Sequence, residues 1–419
     1  MTTLNKKMTT SIFTPTNDTQ FLNEAYDSFK SQHFFEWVLL FNNCEVPTDK
    51  KLFPFLNDER VKIFSLPVTD DGYNIGFLKN HVCNKCTGDL LLELDHDDLL
   101  DSSAIKDVEK VFNENPNVGF VYSNAANFKG DFQKTQRYNE AIGWKYRTIG
   151  INDVEEHIAW EANPFTLSRI WFTPNHVRVW KSEVYHKIGG HDESLRVLDD
   201  QDLIVRTYLE TDFYHIDKCL YLYRITGNNN WIKYNKEIQQ NLSKIQNKYF
   251  HKTVIKWAKK KNLRLLDLGG RFHKQVGFEN VDKKDADVTC DLNETWPFET
   301  NSVGVLRAFD LMEHLVDKLH FIKEAYRVLA PGGYLLSMTP STDGRGAFQD
   351  PTHVSFYNEN SFKYYIDDNF KKYIDSPVHF QSAKLLTTAK DKDEVCWVIA
   401  DLIAIKGNES KIPKINFDI

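Results

Sequence analysis

Runs of apolar residues broken by polar helical patterns fill the first hundred positions. Residues 10–14 form a short β-rich run closed by Pro15. Asn17 or Asp18 can cap a helix over residues 20–32. Residues 36–42 read as a second, nearly continuous apolar strand and 60–66 as a third. A helix over 75–86 follows, and a fourth strand over 89–94 runs straight into Asp95, Asp97 and Asp98. Strands and helices alternating at this spacing predict a parallel α/β sheet covered on both faces. Such sheets bind ligands at the carboxyl ends of their strands. Thr14–Thr16, Asn42–Asn43 and Asp95–Asp98 stand at those ends.

Further on the pattern loosens. Residues 125–175 are irregular and rich in Trp, Tyr and Asn, as acceptor-side loops are. Residues 177–188 predict a strand then a helix, Gly189–Gly190 a break, and 199–210 another helix. A Lys-rich helix over about 236–261 leads into a second unit, where β/α alternation restarts with strands at 264–268, 278–281, 303–309 and 333–338. A helix over 318–329 and an apolar strand within 394–405 complete it. The expected organisation is a first domain over 8–250, a helical connector over 251–262 and a second domain over 263–419.

Composition changes this picture little. Hydrophobic content of 41% and charged content of 26% are those of a globular chain with a sizeable core. A net charge of -7 argues against nucleic acid or an anionic membrane as the main partner. No apolar run reaches the roughly 18–20 residues that span a bilayer. The polar start lacks an apolar leader segment, so cytoplasmic residence is the expectation. Cys44, Cys83, Cys86, Cys219, Cys290 and Cys396 are scattered as in a reduced protein. Cys83 and Cys86 lack the second ligand pair a structural zinc needs.

Three carboxylates within Asp95–Asp98 repel one another, and a divalent cation would neutralise them. An Asp-rich turn capping the next helix would explain them equally well. Their company favours chemistry: Thr14-Pro15-Thr16 opens the domain, Asn74 precedes a helix carrying Lys79, and Asp199-Asp200-Gln201-Asp202 opens a later one. In this ordered set the chain from about residue 8 to 249 resembles the family 2 glycosyltransferases of GT-A fold, among them glycan-decorating enzymes of large algal viruses and phages. The resemblance implies a uridine pocket lined by Thr14, Pro15 and Thr16, and Asn43 near the base or ribose. It implies Asn74 and Lys79 near the donor, Asp97 as direct metal ligand, and Asp95 as ligand or ribose contact. Asp200 matches the general base of inverting members, and Arg224 a contact to the diphosphate, with a surface salt bridge as the equal alternative. The implied partners are a nucleotide-sugar donor (a UDP-sugar, with a deoxysugar such as rhamnose among the candidates), Mn2+ or Mg2+, and a glycan acceptor. Asp199 is expected to cap its helix and Asp202 to be structural. His176, His191, Trp144, Trp160 and Trp171 fall in the acceptor region, each explained as well by packing.

The second half resembles class I S-adenosylmethionine methyltransferases, a Rossmann-like fold. Asp267, Gly269 and Gly270 match the first motif; Asp282 matches the ribose-binding acid, and Asp291 and Leu292 the adenine edge. Phe309–Leu315 and Arg327–Gly333 match later motifs. The resemblance implies S-adenosylmethionine as cofactor and His314 or His353 as base for O-methylation of a sugar. Arg271 departs from the pattern, taking the place of a glycine, and the span from Gly270 to Asp282 is short for the usual first helix. An active methyltransferase and a degenerate domain kept for binding or assembly both fit these residues. Across the whole chain, a glycan-binding scaffold on dead enzyme folds and a nucleotidyltransferase are the rival classes.

Overall fold

The computed structural model describes residues 7–70, 72–170, 172–227 and 229–407. The chain divides into two compact units, Met1–Phe250 and His251–Ile419, and the division falls inside one long helix, Asn235–Lys260.

The first unit is built on an eleven-stranded sheet. Its order along the main path is Val61–Ser65, Glu36–Phe41, Thr10–Thr16, Leu90–Glu93, Arg178–Lys181, Val118–Lys129, Asp212–Arg224 and Leu99–Leu100. The first four are mutually parallel, and every residue of Glu36–Phe41 and Leu90–Glu93 is buried, as a sheet covered on both faces requires. The wholly parallel expectation needs correcting beyond them. Arg178–Lys181, inserted between Leu90–Glu93 and Val118–Lys129, runs antiparallel to both. This reversal lays Arg178 directly opposite Glu93.

Helix ends also differ from expectation. The first helix is Leu22–Phe29 with Phe21 at its N-cap, and Asp18 accepts instead from the Gln20 amide. The helix Ile75–Cys83 stops short of Cys86, and all six cysteines are free thiols.

The second unit holds a seven-stranded sheet ordered Val288–Thr289, Glu279–Asp282, Arg264–Leu268, Val303–Phe309, Leu329–Pro340, Trp397–Ala404 and Phe380–Thr387. The first five are parallel, and Trp397–Ala404 runs antiparallel to both its neighbours, Leu329–Pro340 and Phe380–Thr387. Leu268, Leu306, Phe321, Leu335 and Leu402 belong to one hydrophobic core. No helix separates Leu268 from Glu279, so the first crossover of this unit is a loop.

Candidate active site

Residues 95–98 leave the end of Leu90–Glu93 in a tight turn, and the three acids take two different environments. Asp98 is wholly buried and accepts from the Tyr221 hydroxyl and the Arg224 amide, each at 2.7 Å. It fastens the turn to the strand Asp212–Arg224. Asp95 and Asp97 are half-buried, and no other described residue donates a hydrogen bond to either carboxylate. Burial pushes Asp95 up to about 6, with Glu93 and Asp97 adding to it against the Lys79 charge, and burial also raises Asp97. Desolvated acids without protein donors are costly, and two oxygen ligands suit a hard divalent cation. The donor set therefore fits Mn2+ or Mg2+.

Behind this turn lies a buried ionic cluster. Glu93 pairs with Lys79, and Arg178 stands 3.9 Å from Glu93 and 2.7 Å from Asp200. Burial opposes the Arg178 charge, yet Asp200, Glu93 and Asp95 hold its pKa above the ordinary value. Asp200 keeps 21% of its side chain exposed, and its Oδ1 accepts from the Gln201 amide at 2.8 Å. Asp199 turns inward. Leu198, not Asp199, is the N-cap residue of Asp199–Glu210, and no side chain caps that helix. Burial pushes Asp199 up to about 7, and its Oδ2 lies 3.6 Å from His191 Nε2. Asp202 is bound by Arg206 at 2.6 Å and by the Tyr249 hydroxyl at 3.1 Å, the structural part expected of it.

Several expected ligand contacts are taken up inside the protein. Thr14 is fully enclosed, donating to Leu94 O at 2.7 Å and accepting from Trp37 Nε1 at 3.0 Å. It secures the strand end, while half-buried Pro15 lies beside it and Thr16 donates to Asp18 O at 2.5 Å. Asn43 is braced against Thr69 through its side-chain oxygen and nitrogen. Asn74 donates to Glu193 O and Ser194 O, holding the loop before Asp199. Lys79 is buried against Glu93, so its ammonium neutralises the floor of the site in place of a phosphate. Arg224, itself buried, pairs with exposed Glu24 at 2.7 Å, donates to Asp97 O at 2.7 Å and lies over the Phe21 and Phe128 rings. It braces the turn at Asp97, and its ion pair with Glu24, open to solvent on the Glu24 side, is the salt bridge of the alternative reading.

His176 stacks on Tyr221 with ring centroids 4.6 Å apart, and burial holds both His176 and His191 well below the usual imidazole range. Trp144 is buried among Phe172, Trp160 and His157, which makes it a packing residue, not an open platform. Trp160 is half-buried, and Trp171 lies outside the described residues. Glu93, Arg178 and Tyr221 were not singled out in the sequence. Each looks there like an ordinary strand residue, and only strand pairing brings them to Asp95 and Asp200.

In the second unit the turn after Arg264–Leu268 is drawn tight. Gly269 has φ +74°, and a Cβ on Gly270 would collide with Asp267 Oδ2 and come within 2.8 Å of Asn280 Oδ1. Asn280 is buried with both amide atoms unpaired. A cradle that only glycine allows, beside an orphaned amide, fits a bound cofactor. Asp267 already accepts from Arg307 and the Gln275 amide, one to each oxygen, at 2.7 and 2.8 Å. Asp282 is half-buried and accepts from the Lys283 amide. Asp291 is tied to Lys283 at 3.0 Å and to Asn293, and Leu292 is part of the core and not an open edge. Arg271 pairs with Asp285 at 2.5 Å. His314 and His353 lie together, ring centroids 4.9 Å apart.

Residues 11–172 match the family model described as Glycosyl transferase family 2, and residues 253–337 match that described as Methyltransferase domain. An uncharacterized glycosyltransferase of Haemophilus influenzae is 28% identical over 162 residues, 37% of this chain and 50% of the relative. A probable S-adenosylmethionine-dependent methyltransferase of Mycolicibacterium smegmatis is 38% identical over 66 residues, 15% of this chain and 26% of the relative. The chain thus spans half the length of the first and about a quarter of the second. Among solved structures, S. aureus TarS 1-349 is similar at 15% identity and a TM-score of 0.42, over 64% of this chain and 76% of that one. Among the described residues no helix is long and apolar enough to cross a membrane.

Proposed function

We propose, for a chain that joins a family 2 glycosyltransferase domain to a methyltransferase domain, two successive modifications of a glycan: transfer of a sugar, then O-methylation of a sugar. The first unit moves the sugar from a UDP-sugar donor to an acceptor hydroxyl with inversion and with Mn2+ or Mg2+ as cofactor. One observation carries this reading. Asp95, to whose carboxylate no described residue donates, acts on Arg178 together with Glu93 and Asp200, and Asp97 stands beside Asp95 in the same turn.

Held by Asp95 and Asp97, the cation would offset charge on the leaving diphosphate. Arg178 fixes Asp200 by its 2.7 Å contact, and the exposed part of that carboxylate accepts the proton of the acceptor hydroxyl. Glu93 and Lys79 neutralise each other beneath it and keep the floor of the site rigid. The second unit uses S-adenosylmethionine at the Gly269–Gly270 turn, with Asp282 toward the ribose and His314 and His353 on the acceptor side. Donor hydrolysis with manganese tests the first half. Activity unchanged in Asp97→Ala would remove the metal role, and full transfer by Asp200→Asn would remove the base.

A further inference from the structure

Among the described residues of the second unit, Glu313, His314 and His353 each offer one ligand atom, and these atoms all lie within 4.8 Å of one another. Glu313 and His314 belong to the 3-10 turn Met312–His314 that follows the strand Val303–Phe309. His353 comes from the loop after Gly346–Gln349. The backbone clamps the two segments together: the amides of Val354 and Ser355 both donate to Glu313 O at 2.9 Å.

Each side chain is also anchored from behind. Glu313 is buried, and its Oε2 accepts from the Thr339 hydroxyl at 2.7 Å. His353 Nδ1 lies 3.0 Å from Ala347 O, so that nitrogen carries the proton and Nε2 the lone pair. His314 Nδ1 lies 3.3 Å from Thr352 O and 3.1 Å from Thr352 Oγ1, whose own proton goes to Asp350, and the same tautomer follows. Outer hydrogen bonds of this kind orient imidazole for metal ligation. Asp350 Oδ2, 3.9 Å from His353 Nε2, and Asp310, bonded to Trp397 Nε1 at 3.2 Å, add negative charge around both rings. Two imidazoles and a carboxylate suit a divalent transition ion, and three protein ligands leave coordination positions open.

We propose that Glu313, His314 and His353 bind a divalent transition-metal cation whose open positions hold the acceptor hydroxyl for methyl transfer. The group stands next to the glycine turn: Leu311 Cδ1 lies 2.8 Å from where a Cβ on Gly269 would be, and the strands leading to the two sites are parallel neighbours. The bound hydroxyl loses its proton to solvent. Its oxygen then forms the new O–CH3 bond as the C–S bond of the sulfonium donor breaks and the electron pair leaves on sulfur. That step rests on the methyltransferase reading above; the cation site does not.

The test uses the full chain carrying Asp97→Ala, so that the first unit's carboxylates do not compete, stripped with a chelator and titrated with Co2+. We expect visible d–d absorption that saturates at equimolar Co2+. Glu313→Gln and His353→Ala should weaken binding at least about tenfold. His314 is exposed, so His314→Ala should do the same with unchanged thermal unfolding. Absence of the band, or unaltered Co2+ affinity in His314→Ala, overturns the site. Methylation of a glycan acceptor by the unsubstituted chain, with and without chelator, separates the two claims. Cobalt binding without methylation refutes the methyltransferase reading alone, whereas chelator-indifferent methylation without a cobalt band refutes the cation site alone.

Discussion

At the scale of single residues, Arg178 is the buried counter-charge that holds Asp200. It is 2% exposed and touches both Asp200 and Glu93. Removing one partner of a buried ion pair leaves the other charged and undersolvated, at a cost of about 3–5 kcal/mol. Arg178→Met should therefore lower stability by that order in urea unfolding and abolish transfer, while Arg178→Lys keeps the charge and recovers part of the stability. His157 provides a pH-dependent test. Enclosed by Trp144 and Tyr138, it is lowered by burial to about 4. The unfolded chain takes up a proton on this side chain below about pH 6.5, whereas the folded chain does so only near its own lower value. Its contribution is thus fully present above 6.5 and lost as pH falls toward 4. His157→Phe should flatten that part of the stability profile by about 1–3 kcal/mol, and an unchanged slope in urea titrations across pH would refute it.

At the scale of elements, the helix Ile75–Cys83 positions the loop that leads to Asp199 and Asp200. A Cβ on Gly76 would collide with the Asp192 carbonyl, and the Gly76 amide donates to Leu195 O at 3.1 Å. Gly76→Ala must push that loop outward. We expect a loss of about 1–3 kcal/mol in chemical denaturation, with kcat falling more than KM rises, because Asp200 is displaced while the turn at Asp95 is not. The strands that frame this site differ in how openly the sequence declares them. Thr10–Thr16, Glu36–Phe41 and Leu90–Glu93 are short apolar runs ending in polar residues, and their carboxyl ends could be located from composition alone. Val118–Lys129 and Asp212–Arg224 gave no such signal. The second carries His215, Asp217 and Lys218 through its middle and breaks register between Ile216 and Cys219, so neither period persists. Missing that strand meant missing Tyr221, and with it the reason Asp98 differs from Asp95 and Asp97. The antiparallel entry of Arg178–Lys181 was hidden for another reason: strand direction depends on tertiary path, which local periodicity does not encode.

At the scale of the whole molecule, the proposed function puts two chemistries on one chain, each with its own donor turn, and their ligands should then act independently. On that proposal the first unit's donor turn would depend on Asp97, and the second unit's cofactor turn on the glycines at 269 and 270, where a Cβ has no room. Gly270→Val would drive a branched side chain into Asp267 and Asn280, closing the cradle without touching the first sheet. Calorimetry on the full chain should then show a double dissociation. Asp97→Ala loses UDP binding in manganese and retains S-adenosylmethionine, while Gly270→Val does the reverse. Because a ligand stabilises only the unit that binds it, each should raise a different unfolding transition, by about 2.7 kcal/mol at a hundredfold excess over Kd. A single transition raised by either ligand would mean that the units unfold as one cooperative body. Loss of both ligands in either variant would mean that the two sites depend on each other, and the chain would then have to be treated as one enzyme with a composite site instead of two joined in sequence.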